Sequence, residues 1–202
     1  LLKLFMNISI ISASHRKNSQ SNRVALIIEK LLKKQFKDIK TFNFDLFKIN
    51  LPMWSEDGLK ENKKFILSDL SGKLLKSDGF IFVVPEYGGM ATPISKNFFL
   101  HCNKGELSHK PALVVSISSG NGGSYPISEL RSSSYKNRHI LWIPENIIIR
   151  NVEHFDPGNH GNLIPEWLDK RIDYVLNLLI EYSKCLRPVS KLINRKDFGN
   201  GM

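Results

Sequence analysis

Residues 79–84 read Gly-Phe-Ile-Phe-Val-Val, a run without a polar side chain that Pro85 closes. A strand that is apolar on both sides must be covered on both, as a central strand of a parallel sheet is. Residues 111–117, Pro-Ala-Leu-Val-Val-Ser-Ile, make the same demand. Two such strands require two helical layers, and the chain supplies them. Val24, Ile27, Ile28, Leu31 and Leu32 recur at helical spacing over residues 24–36, opposite Glu29, Lys30, Lys33 and Lys34. Phe65, Leu67, Leu70, Leu74 and Leu75 do so over residues 59–76, where Gly72 is a weak point. Shorter helices are predicted over residues 94–102 and 127–136. A longer amphipathic one spans 165–185 on Trp167, Leu168, Ile172, Val175, Leu176, Leu179 and Ile180.

The remaining strands follow. Residues 6–12 are Ile-rich, residues 40–46 alternate through Thr41, Phe42, Asn43 and Phe44, and residues 140–143 and 147–149 form a fifth strand interrupted by Pro144. Strand and helix thus alternate five times. The expectation is an α/β, doubly wound, five-stranded parallel sheet with helices on both faces, joined by right-handed crossovers. Residues 151–163 read as loop, and residues 186–202, with Pro188, as a flexible tail. No repeat or linker divides the chain, so residues 1–202 are expected to form a single domain.

Three polar loops follow the first, third and fourth strands. The first is Ser12-Ala13-Ser14-His15-Arg16-Lys17-Asn18-Ser19-Gln20-Ser21-Asn22, leading from a strand into a helix. A helix N-terminus offers unpaired N–H groups and the positive end of the dipole, and hydroxyls with an arginine there suit a phosphate monoester. Ser19, Ser21 or Asn22 would serve equally as plain helix caps. The second loop is Pro85-Glu86-Tyr87-Gly88-Gly89-Met90-Ala91-Thr92-Pro93 and the third Ser118-Ser119-Gly120-Asn121-Gly122-Gly123-Ser124. In the strand order 2-1-3-4-5 the three loops are neighbours at the carboxyl edge, where such sheets bind ligands.

Composition narrows the classes. The 202 residues carry a net charge of +10, with 42% hydrophobic and 24% charged residues, values typical of a soluble globular chain. The lysines are dispersed and no basic arm or zinc-finger spacing accompanies them, so nucleic acid is not expected as a partner. Attraction of anionic ligands is. No run reaches the roughly 18 apolar residues of a membrane span, so no membrane is expected. The N-terminus superficially resembles a signal peptide, but cleavage near residues 12–14 would remove the first strand. Met6 is expected as the natural start and residues 1–5 as an extension. Cys102 and Cys185 form no motif, so a reducing, cytoplasmic setting is the default.

Together the loops resemble those of the NADPH-dependent FMN reductase family of flavodoxin-like proteins. Ala13-Ser14-His15-Arg16-Lys17-Asn18-Ser19 resembles the family's G-S-x-R-x-x-S, with alanine in place of the first glycine. Pro85-Glu86-Tyr87-Gly88 resembles its P-E-Y-N/G, and Pro93-Ile94-Ser95-Lys96-Asn97 its proline–lysine–asparagine continuation. Leu51-Pro52 and Ser118-Ser119-Gly120 also fit. The resemblance reaches to about residue 185 and implies FMN as cofactor and NAD(P)H as co-substrate. Ser14, Arg16, Ser19, Gln20 and Ser21 would hold the phosphate. Pro85, Glu86, Tyr87, Gly88 and Gly89 would run along the isoalloxazine, and Ser118, Ser119 and Gly120 would cover its polar rim. It implies hydride transfer from NAD(P)H to the flavin and electron delivery to a quinone, azo compound, metal oxyanion or free flavin. It also implies a homodimer or homotetramer, to which Trp54, Phe98 and Phe99 would contribute as surface or else serve as core.

Other readings are weaker. Tyr87 either stacks on a ring or is a partly buried aromatic, and Glu86 acts through its backbone or a local ion pair. His15 is either a further phosphate donor or solvent-facing. His154, Asp156 and His160 lie in a loop without metal-ligand pairing, and no metal is expected. Cys102 reads as a buried thiol, and Lys96 as serving helix packing or an interface rather than chemistry. Gly120-Asn121-Gly122-Gly123 is not a dinucleotide fingerprint. A flavodoxin-type electron carrier is the rival, although its usual acidity is absent here. A flavin-free interaction protein is a third reading.

Overall fold

A computed structural model describes residues 5–56, 61–102, 104–159 and 163–193, with the backbone alone for residues 61–66. Outside it fall residues 1–4 of the expected extension, residues 57–60 with the expected start of the second helix, the Phe65 side chain, His160 and residues 194–202 of the tail.

The element order is β1 (Met6–Ser12), α1 (Gln20–Gln35), β2 (Ile39–Asp45), the single-turn α2 (Leu46–Ile49), α3 (Glu61–Lys76), β3 (Gly79–Pro85), α4 (Pro93–His101), β4 (Pro111–Ile117), α5 (Tyr125–Ser133), β5 (Leu141–Ile149) and α6 (Trp167–Leu192). The strands form one sheet in the order β2-β1-β3-β4-β5, parallel throughout. Every residue of β3 and β4 is buried, as their sequences require.

Alternate side chains feed two cores. Ile8, Ile10, Ile81, Val83, Leu113 and Val115 pack with Val24 and Ile28 of α1 and with Ile172, Val175 and Leu179 of α6. On the other face Phe80, Phe82, Ala112 and Val114 meet Leu70 and Leu74 of α3, Phe98 and Phe99 of α4, and Leu130 of α5. Phe82 is the hub there, with the Phe80, Phe98, Phe99 and Trp142 rings at 6.2, 5.8, 5.1 and 5.4 Å. Phe98 and Phe99 are therefore core, and the interface reading of these two is set aside.

The largest departures from the expected boundaries are in α1, β5 and α6. α1 starts at Gln20 rather than residue 24, because Ser19 caps it by accepting the Asn22 N–H at 3.2 Å. β5 runs unbroken through Pro144 as an edge strand whose register shifts between the pairs Ala112–Trp142 and Val114–Asn146. Such a bulge accommodates proline without a missing ladder bond, and Arg131 Nη2 donates to the freed Ile143 and Glu145 carbonyls at 2.8 and 3.1 Å. α6 continues past residue 185 with Pro188 inside it. Arg187 anchors that extension through an ion pair to Asp78 (2.9 Å), not aligned as a hydrogen bond, and through donation to the Phe5 carbonyl at 3.1 Å.

Candidate functional site

All three loops leave the carboxyl ends of neighbouring strands β1, β3 and β4, and with the segment after β5 they enclose a cavity of about 320 Å³. A cavity of that order suits a cofactor-sized ligand. Arg16, Ser19, Gln20, Ser21, Pro85, Glu86, Tyr87, Gly88, Ser118 and Ser119 line it, joined by Ile117, Val152 and Glu153. Ser14, Gly89 and Gly120 stand outside the lining. Ser14 is fully buried, and its hydroxyl accepts the Arg16 N–H at 3.1 Å and is hydrogen-bonded to the Tyr87 hydroxyl at 2.9 Å.

The loops are stapled to one another around the opening. Besides the Ser14–Tyr87 pair, Thr92 Oγ1 donates to the Ala13 carbonyl at 2.7 Å, and the Arg16 guanidinium lies 4.8 Å from the centre of the Tyr87 ring. Within the second loop, Gly88 and Gly89 have φ of +58° and +73°, and Tyr87 and Met90 exchange both backbone hydrogen bonds across them. Two consecutive left-handed residues make the tight two-residue turn that glycine permits at little cost.

The carboxylate of Glu86 reaches the third loop, where Oε2 accepts the N–H groups of Gly123 and Tyr125 at 2.8 and 3.2 Å. Among the described residues its partners are backbone amides rather than a cation. Room for the carboxylate exists because residue 122 is glycine: a Cβ there would stand 2.5 Å from Glu86 Oε1. The same loop is held from its other side by Arg150, whose Nε donates to the Asn121 and Gly122 carbonyls at 2.7 and 3.0 Å.

The ring of contacts closes through Arg23. Its guanidinium bonds Gln20 Oε1 at 2.6 Å, the Phe155 carbonyl at 2.7 Å and the Val152 carbonyl, tying the first turn of α1 to the segment after β5. Sequence reading passed over Arg23 and Arg150, and covered Val152 and Glu153 only as part of the 151–163 loop. One signal was present for Arg23: a cation in the first turn of a helix opposes the dipole and needs another reason to be there. Asn97 was visible only as part of a motif. It donates to the Pro52 carbonyl at 2.9 Å and accepts the Trp54 N–H at 2.8 Å, fixing residues 52–54 against α4. Lys96 pairs with Glu129 of α5, and Glu129 accepts the Ala91 N–H at 2.6 Å, a packing role. The lysine and these hydrogen bonds hold the Glu129 carboxyl below its ordinary range against the opposing effect of burial.

Phosphate chemistry fits the first loop. The N–H groups of Gln20 and Ser21 lie in the opening turn of α1, where no intrahelical acceptor exists. Ser21 is 1% exposed, and its Oγ has no hydrogen-bond partner. An unpaired buried hydroxyl is costly, and Ser21 is among the residues that line the cavity. The hydroxyls of Ser12 and Ser116 are likewise unpartnered but do not line it. Ser19 accepts from Asn22 and keeps its own proton to donate, so capping and ligand binding are compatible. His15 is exposed, its ring 6.4 Å from that of Tyr87.

Cys102 is buried, and burial pushes its thiol up, with Glu106 adding to the shift. His154 and Asp156 are exposed. Among the described residues no group of three or more His, Cys, Asp or Glu is placed to hold a metal ion, and no helix is long and apolar enough to cross a membrane.

A parallel 2-1-3-4-5 sheet with helices on both faces and a three-loop cavity at its carboxyl edge defines the flavodoxin-like class. Within that class the chain belongs to the NADPH-dependent FMN reductase family, whose model matches residues 6–154. A Schizosaccharomyces pombe NAD(P)H-dependent FMN reductase is 31% identical over 145 residues, 65% of this chain, and the match spans 66% of that relative's length. Among solved structures, FerB of Paracoccus denitrificans, described as a flavoenzyme NAD(P)H:(acceptor) oxidoreductase, is similar with a TM-score of 0.72. It is 18% identical, over 90% of this chain and 98% of that one. An oxidoreductase of Corynebacterium diphtheriae gives 0.69 at 15% identity, over 91% of this chain and 98% of that one.

Proposed function

We propose that this protein is an FMN-dependent NAD(P)H oxidoreductase that holds FMN noncovalently in the cavity bordered by the three loops. The observation that carries the reading is the buried, unpartnered Ser21 hydroxyl at the N-terminus of α1. A phosphate gives it the acceptor it lacks. Gln20 and Ser21 then donate backbone N–H groups, Ser19 and Ser21 hydroxyl protons, and Arg16 a charged contact. Pro85, Glu86, Tyr87 and Gly88 flank one side of the ring site, with Gly89 closing their turn, and Ser118, Ser119 and Gly120 supply the polar rim. Ile117 and Val152 add apolar lining.

When bound, FMN supplies the hydride-accepting and electron-donating chemistry, while the protein contributes binding, orientation and electrostatics. No side chain is assigned an acid or base role. The names of the relatives support NAD(P)H as donor, and the net charge of +10 favours anionic substrates. The acceptor is assigned to the class of quinones, azo compounds, metal oxyanions or free flavin. The chain acts as a single FMN-binding domain, assembled as a homodimer or homotetramer, in the cytoplasm.

The test is anaerobic addition of NADPH to FMN-loaded protein, followed by steady-state assays with a quinone, an azo dye, chromate and free FMN. Loss of the yellow absorbance and turnover with at least one acceptor are expected. Bound FMN that NADPH leaves oxidised identifies an electron carrier instead. A protein that cannot be loaded with FMN ends the reading.

A further inference from the structure

We infer that Glu86 is a positioning residue for the ring half of the site: its carboxylate is a strut that fixes the third loop against the second. The inference rests on the FMN reading and goes beyond it, since the side chain acts on the protein rather than on the ligand.

Glu86 stands at the end of β3, and its own N–H donates to the Ile117 carbonyl at 3.0 Å, so its backbone is anchored in the sheet. Its side chain then spans the gap between the loops. One oxygen, Oε2, takes the N–H groups of Gly123 and Tyr125 together. The other, Oε1, fills the space that a side chain on residue 122 would occupy. The receiving loop is shaped for this. Gly123 has φ of +106°, and a Cβ on it would come within 2.7 Å of Ile148 Cγ2, so its N–H can face Glu86 only because the residue is glycine.

Arg150 holds the carbonyls of residues 121 and 122 from the opposite direction. The peptides of the third loop are therefore clamped between an acceptor on the second loop and a donor at the end of β5. Glu86, Ser118 and Ser119 all border the cavity, so the separation of these two loops is the width available to a flat ring. Preorganising that width reduces the ordering cost of binding. The hydrogen bonds of the Glu86 carboxylate go to the third loop and not to the start of α1.

Five proteins test it: the wild type, Glu86→Ala, Glu86→Gln, Gly122→Ala and the Glu86→Ala/Gly122→Ala double variant. Each is titrated with FMN and with riboflavin, and inorganic phosphate is measured as a competitor. Removing both hydrogen bonds to a charged acceptor is expected to weaken FMN and riboflavin by the same factor, about 10–50-fold, with phosphate competition unchanged. Glu86→Gln, which keeps an acceptor at the Oε2 position, is expected to stay within about threefold of the wild type. Gly122→Ala, which collides with Oε1, is expected to weaken the flavins in the wild type but to add little once Glu86 is alanine, a coupling that contact through one space produces.

Wild-type flavin affinity in Glu86→Ala overturns the strut alone. So does an equal loss of inorganic phosphate, which indicates general damage, and so do additive effects of the two alanine substitutions. A wild type that binds no flavin overturns the FMN reading and the strut with it. Should Glu86→Ala fail to fold, the Glu86→Gln and Gly122→Ala titrations decide between the same outcomes.

Discussion

Ser21 provides a perturbation whose two effects have opposite signs. Its hydroxyl is buried and unpartnered in the protein alone, and alanine fits the same helical position with better propensity. Removing a buried unpaired hydroxyl is worth about 1 kcal/mol, so Ser21→Ala is expected to stabilise the apoprotein and raise its Tm by about 2–4 °C for a chain of this size. The same change removes a donor to a charged oxygen in the FMN complex. A hydrogen bond to a charged group contributes about 1.5–3 kcal/mol, so the FMN Kd is expected to rise about 10–100-fold. Thermal unfolding of apoprotein with and without saturating FMN reads both effects, because the ligand adds stability in proportion to its affinity. The variant should start higher and gain less. An apoprotein that melts lower, with FMN affinity unchanged, refutes the idea that Ser21 is held ready for a ligand.

Three further outcomes follow from the geometry. Lys110 is buried, donates to the Leu74, Leu75 and Glu106 carbonyls at 3.0, 3.0 and 2.9 Å, and is held by desolvation at a pKa of about 8 against an ordinary 10.5. The unfolded chain binds the extra proton between those values, so stability should rise from pH 8 to pH 10.5, by on the order of 3 kcal/mol from this group; Lys110→Met should flatten that rise in denaturant titrations. Phe82→Ala removes the ring that four aromatic neighbours surround and should cost about 3–5 kcal/mol in chemical unfolding. Arg23→Ala frees the Val152 and Phe155 carbonyls and should lower stability by about 1–3 kcal/mol, with faster amide exchange in residues 152–155.

The layers and the three loops were legible in the sequence because each rests on short-range information. β3 and β4 are apolar throughout and so had to be interior, and the loops carry the serine and glycine that strand-to-helix turns need. What was not legible depends on distant partners. Glu86 meets Gly123 across 37 residues and Arg23 meets Phe155 across 132, separations at which no spacing rule operates. Pro144 reads as a strand breaker until β5 is known to be an edge with a bulge, and Pro188 as a helix end until Arg187 is seen against Asp78. The first turn of α1 escaped the hydrophobic period because Gln20 and Ser21 are polar and line the cavity rather than join the apolar core.

The assignment of the cavity is tested by titrating the protein with FMN and, separately, with riboflavin, which differs only in lacking the phosphate. With Arg16, Ser19, Gln20 and Ser21 holding that group, FMN should bind about 100-fold or more tightly, and Arg16→Ala should reduce the ratio. Equal affinity for the two flavins, or binding of neither, contradicts the placement of the phosphate at the start of α1.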